Sequence, residues 1–356
     1  MKITHIIEAS ATGTLSMAAL LANAQATNGH SVEIIYSVRP ETPKNFCELF
    51  KSEIRLTNIQ MATMKEKITC IGRIRDRLKD TVPDQIFMHS SFAGFLGRIS
   101  SLNVLPRSRF FYIPHCISFM RKDIGKIKQL LFIAFEWIAS IKKADYVACS
   151  GSERASIAAS IPFRKCHLIE NAIDFSNVIT PPDLDTASRN RSVITVGQIR
   201  PQKGPDQFSE IAKAVRNKDS TVEFIWVGDG DPAARKTMEQ AGVKVVGWVP
   251  KNDVWEHLNN ARLYLSTARW EGMPVSLIEA SFAGLPVIAS SCAGNIDVVE
   301  HGKTGWVFRT TDEAVQHVFS ALEDSQKASE KARMAFEIAQ RRFNVERYLN
   351  DFENLN

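Results

Sequence analysis

The stretch Leu263-Tyr-Leu-Ser-Thr267, followed after Ala268 by Arg269-Trp-Glu-Gly-Met-Pro-Val-Ser-Leu-Ile-Glu-Ala280, decides the fold. The first five residues are a short apolar run of strand type. Pro274 suits the first turn of a helix, where its missing N–H costs nothing. Glu271 therefore lies in the loop before the helix, and Glu279 more than a turn inside it. The first N–H groups of such a helix, near Val275, Ser276 and Leu277, have no intrahelical acceptor and form an anion site by geometry and dipole. A diphosphate held there puts one flank of its ligand near Glu271 and the other near Glu279. That spacing suits two hydroxylated rings on either side of a diphosphate. A solvated acidic loop before an ordinary helix would also carry two such glutamates. The Gly272-Met273-Pro274 insert between strand and helix makes the pattern more specific.

Working outward, short apolar runs alternate with helical patterns along the whole chain. Strands are expected at Ile3–Glu8, Val32–Val38, Gln85–His89, Phe110–Pro114, Tyr146–Ser150 and Cys166–Ile169, with helices at Leu15–Thr27, Phe92–Ser101, Asp123–Lys142 and Glu153–Ser160. The scheme repeats at Ser192–Val196, Val222–Gly228, Lys244–Gly247, Leu263–Thr267, Pro286–Ser290 and Gly305–Phe308, and helical sequence follows from about Asp312. Alternation of this kind implies crossover units and parallel sheets. The polar stretch from Thr180 to Asn190 carries two prolines and reads as a linker. The expected fold class is α/β, with two Rossmann-like doubly wound domains facing each other across a cleft. The expected domains are 1–180, 181–340, and a terminal helical segment 341–356 packing back on the first. Open parallel sheets bind ligands at the carboxyl ends of their strands.

Composition sets outer limits. The chain has 356 residues, 44% hydrophobic and 23% charged, which suits a two-domain globular protein. The N-terminus reads as a first strand and not as a secretory signal. No run reaches the roughly 18 uncharged apolar residues of a membrane span; the nearest, Leu130 to Ile141, is interrupted by Glu136. None of the six cysteines forms a CxxC pair, so they read as reduced thiols of a cytoplasmic protein. GxGxxG does not follow the first strand, which argues against a dinucleotide oxidoreductase.

Three further motifs sit where strands end. Val196-Gly-Gln-Ile-Arg-Pro-Gln-Lys-Gly-Pro-Asp206 offers Gly197 for close backbone approach and Lys203 as a point charge for phosphate. Arg200 reads equally as a second phosphate cation or as an exposed loop residue. Ala9-Ser-Ala-Thr-Gly-Thr-Leu15 carries the single Gly13 between two threonines, in what is expected to be a tight turn. Tyr112-Ile-Pro-His-Cys-Ile-Ser118 puts His115 at the end of an apolar strand. Ser150-Gly-Ser-Glu153 fits a capping box, and Gly294 marks another tight loop.

These motifs together resemble the retaining glycosyltransferases of the GT-B fold, in the large group called family 4. The resemblance covers both halves of the chain. Its Glu-x7-Glu segment is matched by Glu271 and Glu279, and it implies that Glu271 contacts the transferred sugar and Glu279 the ribose hydroxyls. It implies donor contacts from Gly13, Gly197, Gln198, Arg200, Lys203 and the 272–277 segment (Gly272, Met273, Pro274, Val275, Ser276, Leu277). His115 is implied as a sugar contact in the catalytic group. Gly247-Trp-Val-Pro250 resembles the segment that reads the base, with Trp248 as base contact or as plain core or rim. Two departures stand out: Gln198 replaces the usual arginine, and Gly13 stands where a glycine pair is usual. The implied reaction is front-face transfer from a nucleotide-diphosphate sugar to an acceptor hydroxyl with retention. No metal and no other cofactor is implied: no Asp-x-Asp triplet is expected in the chain, and Lys203, Arg200 and the helix N-terminus answer the diphosphate charge. A GT-B-fold sugar-nucleotide epimerase and a non-catalytic sugar-nucleotide-binding subunit are the alternatives.

Charge points to the acceptor. Residues 1–180 hold 23 Lys and Arg against 15 Asp and Glu, and residues 181–356 hold 21 against 24. Arg121, Lys122, Lys126 and Lys128 flank the aromatic-rich run Leu130–Ile138. Basic residues beside such a run suit an anionic membrane surface, although the run itself reads as a core helix. The expected acceptor is a lipid-linked glycan or oligosaccharide of bacterial surface polysaccharide synthesis (lipopolysaccharide, capsule or exopolysaccharide). The protein would be peripheral on the inner face of the membrane. No nucleic-acid partner is expected.

Overall fold

The computed structural model describes residues 1–174 and 184–355. Its chain divides into two compact units, Met1–Asn171 with Leu349–Asn356, and Ala172–Tyr348. The expected division at 180/181 lies outside the described residues.

Unit 1 is built on seven parallel strands: β1 (Lys2–Ile7), β2 (Ser31–Tyr36), β3 (Arg55–Asn58), β4 (Gln85–His89), β5 (Arg109–Ile113), β6 (Asp145–Ala148) and β7 (Cys166–Leu168). Their order is β3-β2-β1-β4-β5-β6-β7, so the topology switches between β1 and β4. The inner strands are buried almost throughout because helices cover both faces. Two elements escape the sequence reading. Edge strand β3 (RLTN) is partly exposed and lacks an apolar run. Helix Met64–Thr81 buries only Cys70, Ile74 and Leu78, a four-residue stripe, and starts with a Thr63–Glu66 capping box. Its sequence carried both signals. The C-terminal residues of unit 1 are tied in by Phe352 packing edge-on against Phe87 and by Arg109 donating to the Leu355 carbonyl at 2.6 Å.

Unit 2 has six parallel strands: β8 (Ser192–Val196), β9 (Glu223–Val227), β10 (Val243–Gly247), β11 (Leu263–Ser266), β12 (Val287–Ser290) and β13 (Gly305–Phe308). They run β10-β9-β8-β11-β12-β13. Here the switch lies between β8 and β11, the strands that lead into the Lys203 and Glu271 loops. Both units are thus Rossmann-like α/β domains. Among the described residues no helix is long and apolar enough to cross a membrane.

Candidate functional site

In unit 2 the loops leaving β8 and β11 are bound to each other. Trp226, buried beneath the sheet end, donates its indole N–H to the Gly197 carbonyl at 2.8 Å. A Cβ on Gly197 would come within 3.0 Å of Lys203 Cε, so the lysine stem lies against a backbone only glycine leaves open. Lys203 ends a short 3-10 turn, Pro201–Lys203. Thr267, just past β11, donates its hydroxyl to the carbonyls of Lys203 and Gly204, each at 2.9 Å.

Those ties bring the cation to the acid. Lys203 Nζ lies 2.8 Å from Glu271 Oε1, both side chains mostly buried. Burial works against the ammonium, yet the Glu271 carboxylate and Tyr264 outweigh it and raise its pKa. Gln202 donates its amide to Glu271 Oε2 at 3.1 Å and to the Trp270 carbonyl at 3.0 Å. Gln202 lies inside a motif read for its neighbours, and its role is visible only in three dimensions. The Glu271 backbone N–H bonds the Ala293 carbonyl at 3.1 Å. Gly294, at φ +84°, packs so closely that a Cβ would lie 2.6 Å from Glu271 Cβ.

Glu279 is buried inside the helix Val275–Phe282. Burial raises its pKa, and the charges of Lys251 and Lys203 work in the other direction. Lys203 therefore acts on both glutamates of the pair. Arg200 lies near enough for its charge to oppose that of Lys203, and its Nε is buried without a partner among the described residues. Gln198 is partly exposed; Gly272 and Met273 are buried.

Four expectations in this unit need correction or refinement. Pro274 caps the helix from outside and does not occupy its first turn. The Leu277 N–H is bonded to the Pro274 carbonyl at 3.1 Å, which leaves Val275 and Ser276 as the outward donors. Trp248 is 59% exposed, which removes the reading of it as core. Asp229-Gly-Asp231 has the Asp-x-Asp spacing of many metal sites, as does Asp183-Leu-Asp185, whose first residue is not described. Asp229 is ion-paired with Arg235 at 2.7 Å, and Asp231 caps the helix Pro232–Gln240.

In unit 1 the helix Thr12–Thr27 follows β1. The left-handed residue of the turn is Thr12, at φ +55°, and not Gly13, which is already helical. A β-branched residue is strained there. His115 also has positive φ (+54°), as has Cys116 (+98°). Glu153 holds this turn: its Oε1 accepts the N–H groups of Cys116 and Ile117, both at 2.8 Å, and its Oε2 that of Cys149 at 2.9 Å. Ser150 does cap the helix through the Glu153 N–H. The Glu153 carboxylate, however, reaches across to the histidine turn, so the expected capping box is only half formed. His115 Nε2 lies 3.1 Å from His89 Nδ1. Glu8, unread in the sequence, is buried beside Arg39, Lys67 and Ser90; burial raises its pKa against the pull of the two cations.

The helix Lys126–Ala139 is turned inside out. Only Glu136 and Ala139 are buried, whereas Ile127, Leu130, Leu131, Phe135, Trp137 and Ile138 are about half exposed or more. Glu136 points inward to Arg98 at 2.7 Å, and Tyr112 and Tyr146 donate their hydroxyls to it at 3.1 and 2.9 Å. This corrects the expectation of a core helix: Phe132 and Ile133 pack against the unit 1 core, but the buried charge is Glu136 and most of the apolar side chains lie outside. Arg121, Lys122, Lys126 and Lys128 are all exposed.

Comparison with known proteins follows the two units. Residues 12–177 match Glycosyltransferase Family 4, and residues 180–341 match Glycosyl transferases group 1. An uncharacterized 41.2 kDa protein in the cps region of Klebsiella pneumoniae is 27% identical over 239 residues, 64% of this chain and 66% of that protein. The UDP-Gal:alpha-D-GlcNAc-diphosphoundecaprenol alpha-1,3-galactosyltransferase of Escherichia coli is 28% identical over 260 residues, 66% of this chain and 65% of that enzyme. The chain thus spans just under two thirds of the length of these curated relatives. The crystal structure of Anabaena HepE in complex with UDP and glucose shares the fold at a TM-score of 0.82, with 18% identity, over 100% of this chain and 99% of that one. With a glycosyltransferase family matched on each unit, the chain belongs to the glycosyltransferases, Family 4 over residues 12–177 and group 1 over residues 180–341.

Proposed function

We propose that this chain is a retaining glycosyltransferase of bacterial surface polysaccharide synthesis, moving a sugar from a nucleotide-diphosphate sugar to a hydroxyl of a lipid-linked glycan. The observation that carries the reading is Lys203 ion-paired with Glu271 and within electrostatic reach of the buried Glu279, at the strand switch of unit 2. The ligands named for HepE and for the E. coli relative favour a uridine diphosphate sugar as donor.

Glu271 sits at the transferred sugar and Glu279 at the ribose. The C–O bond to the diphosphate breaks while the acceptor oxygen bonds the anomeric carbon on the same face, and the acceptor proton passes to a diphosphate oxygen. Lys203, Arg200 and the outward amides of Val275 and Ser276 balance the charge that grows on the leaving group. With those groups in place we assign the reaction no resident metal or other cofactor. Trp248, exposed just past β10, is assigned to the base. We assign His115 a sugar contact.

We further propose docking on the inner face of the membrane through the helix Lys126–Ala139. An exposed apolar face with Lys126, Lys128, Arg121 and Lys122 beside it has the composition of an interfacial helix. The test is turnover of the full chain with a panel of nucleotide sugars and an undecaprenyl-diphosphate-linked acceptor. Transfer with the anomeric configuration kept, read by NMR of the product, is the expected result. An inverted product would overturn the mechanism, and epimerised donor without transfer would overturn the activity.

A further inference from the structure

Three histidines of unit 1 are joined ring to ring. His5 Nδ1 lies 2.9 Å from His89 Nε2, and His89 Nδ1 lies 3.1 Å from His115 Nε2. At the far end His5 Nε2 lies 2.7 Å from Gln25 Oε1. Strand register explains the line. His5 on β1 pairs with Phe87 on β4; His89 is two residues further along β4 and pairs with Ile113 on β5; His115 is two residues beyond that. Residues two apart on a strand share a sheet face, which puts His5 and His89 on one face; His115 lies just past β5, and its left-handed turn brings its ring to His89. Neighbouring rings are 15° from parallel, with centroids 5.2 and 5.4 Å apart. His5 and His89 are fully buried and His115 is partly exposed.

The line has a direction. A neutral imidazole carries one N–H and one bare nitrogen. Desolvation holds His5 and His115 at a pKa of about 4 and His89 well below its ordinary value, so all three rings are neutral at pH 7. An amide oxygen only accepts. His5 therefore carries its proton on Nε2 and accepts at Nδ1; His89 donates from Nε2 and accepts at Nδ1; His115 donates from Nε2. Its Nδ1 is left bare, with no protein partner among the described residues. The Glu153 carboxylate fixes the turn that presents it.

We propose that Gln25, His5 and His89 are positioning residues that lock His115 in the Nε2–H tautomer, making its Nδ1 a hydrogen-bond acceptor for a ligand hydroxyl and not a donor to phosphate or carbonyl oxygen. That the hydroxyl belongs to the donor sugar rests on the transferase reading; the tautomer does not. A group placed to donate where Gln25 accepts reverses every bond in the line.

The experiment is nitrogen-15 NMR of the full chain labelled at histidine, at neutral pH, with the wild type, Gln25→Glu and Gln25→Lys compared. Gln25 is partly exposed on its helix, and the melting temperature of each variant checks that the fold is kept. The wild type and Gln25→Glu are expected to show His115 protonated at Nε2 alone, and Gln25→Lys at Nδ1 alone. Protonation of wild-type His115 at Nδ1, or an unaltered His115 in Gln25→Lys, would overturn the proposal. Binding supplies the second readout. Gln25→Lys should weaken UDP-glucose about tenfold, the loss of one good hydrogen bond, and leave UDP alone unaffected. A switched tautomer with unchanged UDP-glucose affinity would overturn the role given to the sugar hydroxyl, while the NMR result would stand apart from any failure of the transferase reading.

Discussion

Lys203 Nζ lies 2.8 Å from Glu271 Oε1, and this ion pair joins the loop after β8 to the loop after β11. It sets the charge of the donor half-site. On the proposed reading the ammonium assigned to the diphosphate is paired with the carboxylate assigned to the sugar, so neither residue is replaceable alone. Glu271→Ala should abolish transfer, and Lys203→Ala should lower kcat by two orders of magnitude or more. Each leaves a mostly buried charge unpaired, and a melting curve should show a loss of about 3 kcal/mol. Near-normal turnover in Glu271→Ala would contradict its role.

Gly294 tests the backbone behind that pair. An alanine there would set its Cβ 2.6 Å from Glu271 Cβ at a φ of +84°. Gly294→Ala should destabilise unit 2 by about 2 kcal/mol or more and reduce transfer beyond what stability explains. A variant that melts and turns over like the wild type would show that the Glu271 loop gives way freely.

The inverted helix separates two contributions to membrane binding. Leu130→Glu with Leu131→Glu removes apolar surface from exposed positions, so folding should be unchanged while cosedimentation with anionic vesicles falls at every salt concentration. Lys126→Ala with Lys128→Ala should weaken binding mainly at low ionic strength, where exposed charges are least screened. Unchanged binding in both double variants would remove the membrane from the function.

The histidine line makes stability depend on pH with a definite sign. His5 and His115 fall from an ordinary 6.5 to about 4 on folding. The unfolded chain therefore binds more protons between those values. Their contribution is fully present above about pH 6.5 and is lost as pH falls toward about 4. Glu8 and Glu279, whose pKa values are raised, act in the opposite sense. Comparison with a variant isolates the histidine term: the melting temperature of His5→Phe should fall less steeply over that window than that of the wild type. Parallel curves would show that His5 is charged in the folded protein.

How much was legible in advance varied with the range of the interaction. Strand Gln85–His89 and strand Ser192–Val196 coincide with their expected bounds because buried parallel strands write themselves as continuous apolar runs. The order of Glu271, Pro274 and Glu279 likewise placed one acid in a loop and the other in a helix. Edge strand β3 carried no such run, since its neighbours bury it on one side only.

What the sequence determined by itself was the two-domain α/β class, the alternation of strands and helices, and the candidate pair Glu271–Glu279. All of these depend on residues close along the chain. The tertiary structure decided which groups meet: Gln202 on Glu271, Glu153 on the His115 turn, and His5 and His89 in line with His115. It also decided that Glu136 faces inward to Arg98 and so turns the apolar side of its helix outward. Periodicity tells that a helix has two faces; only the partners brought to it from distant strands determine which one is buried.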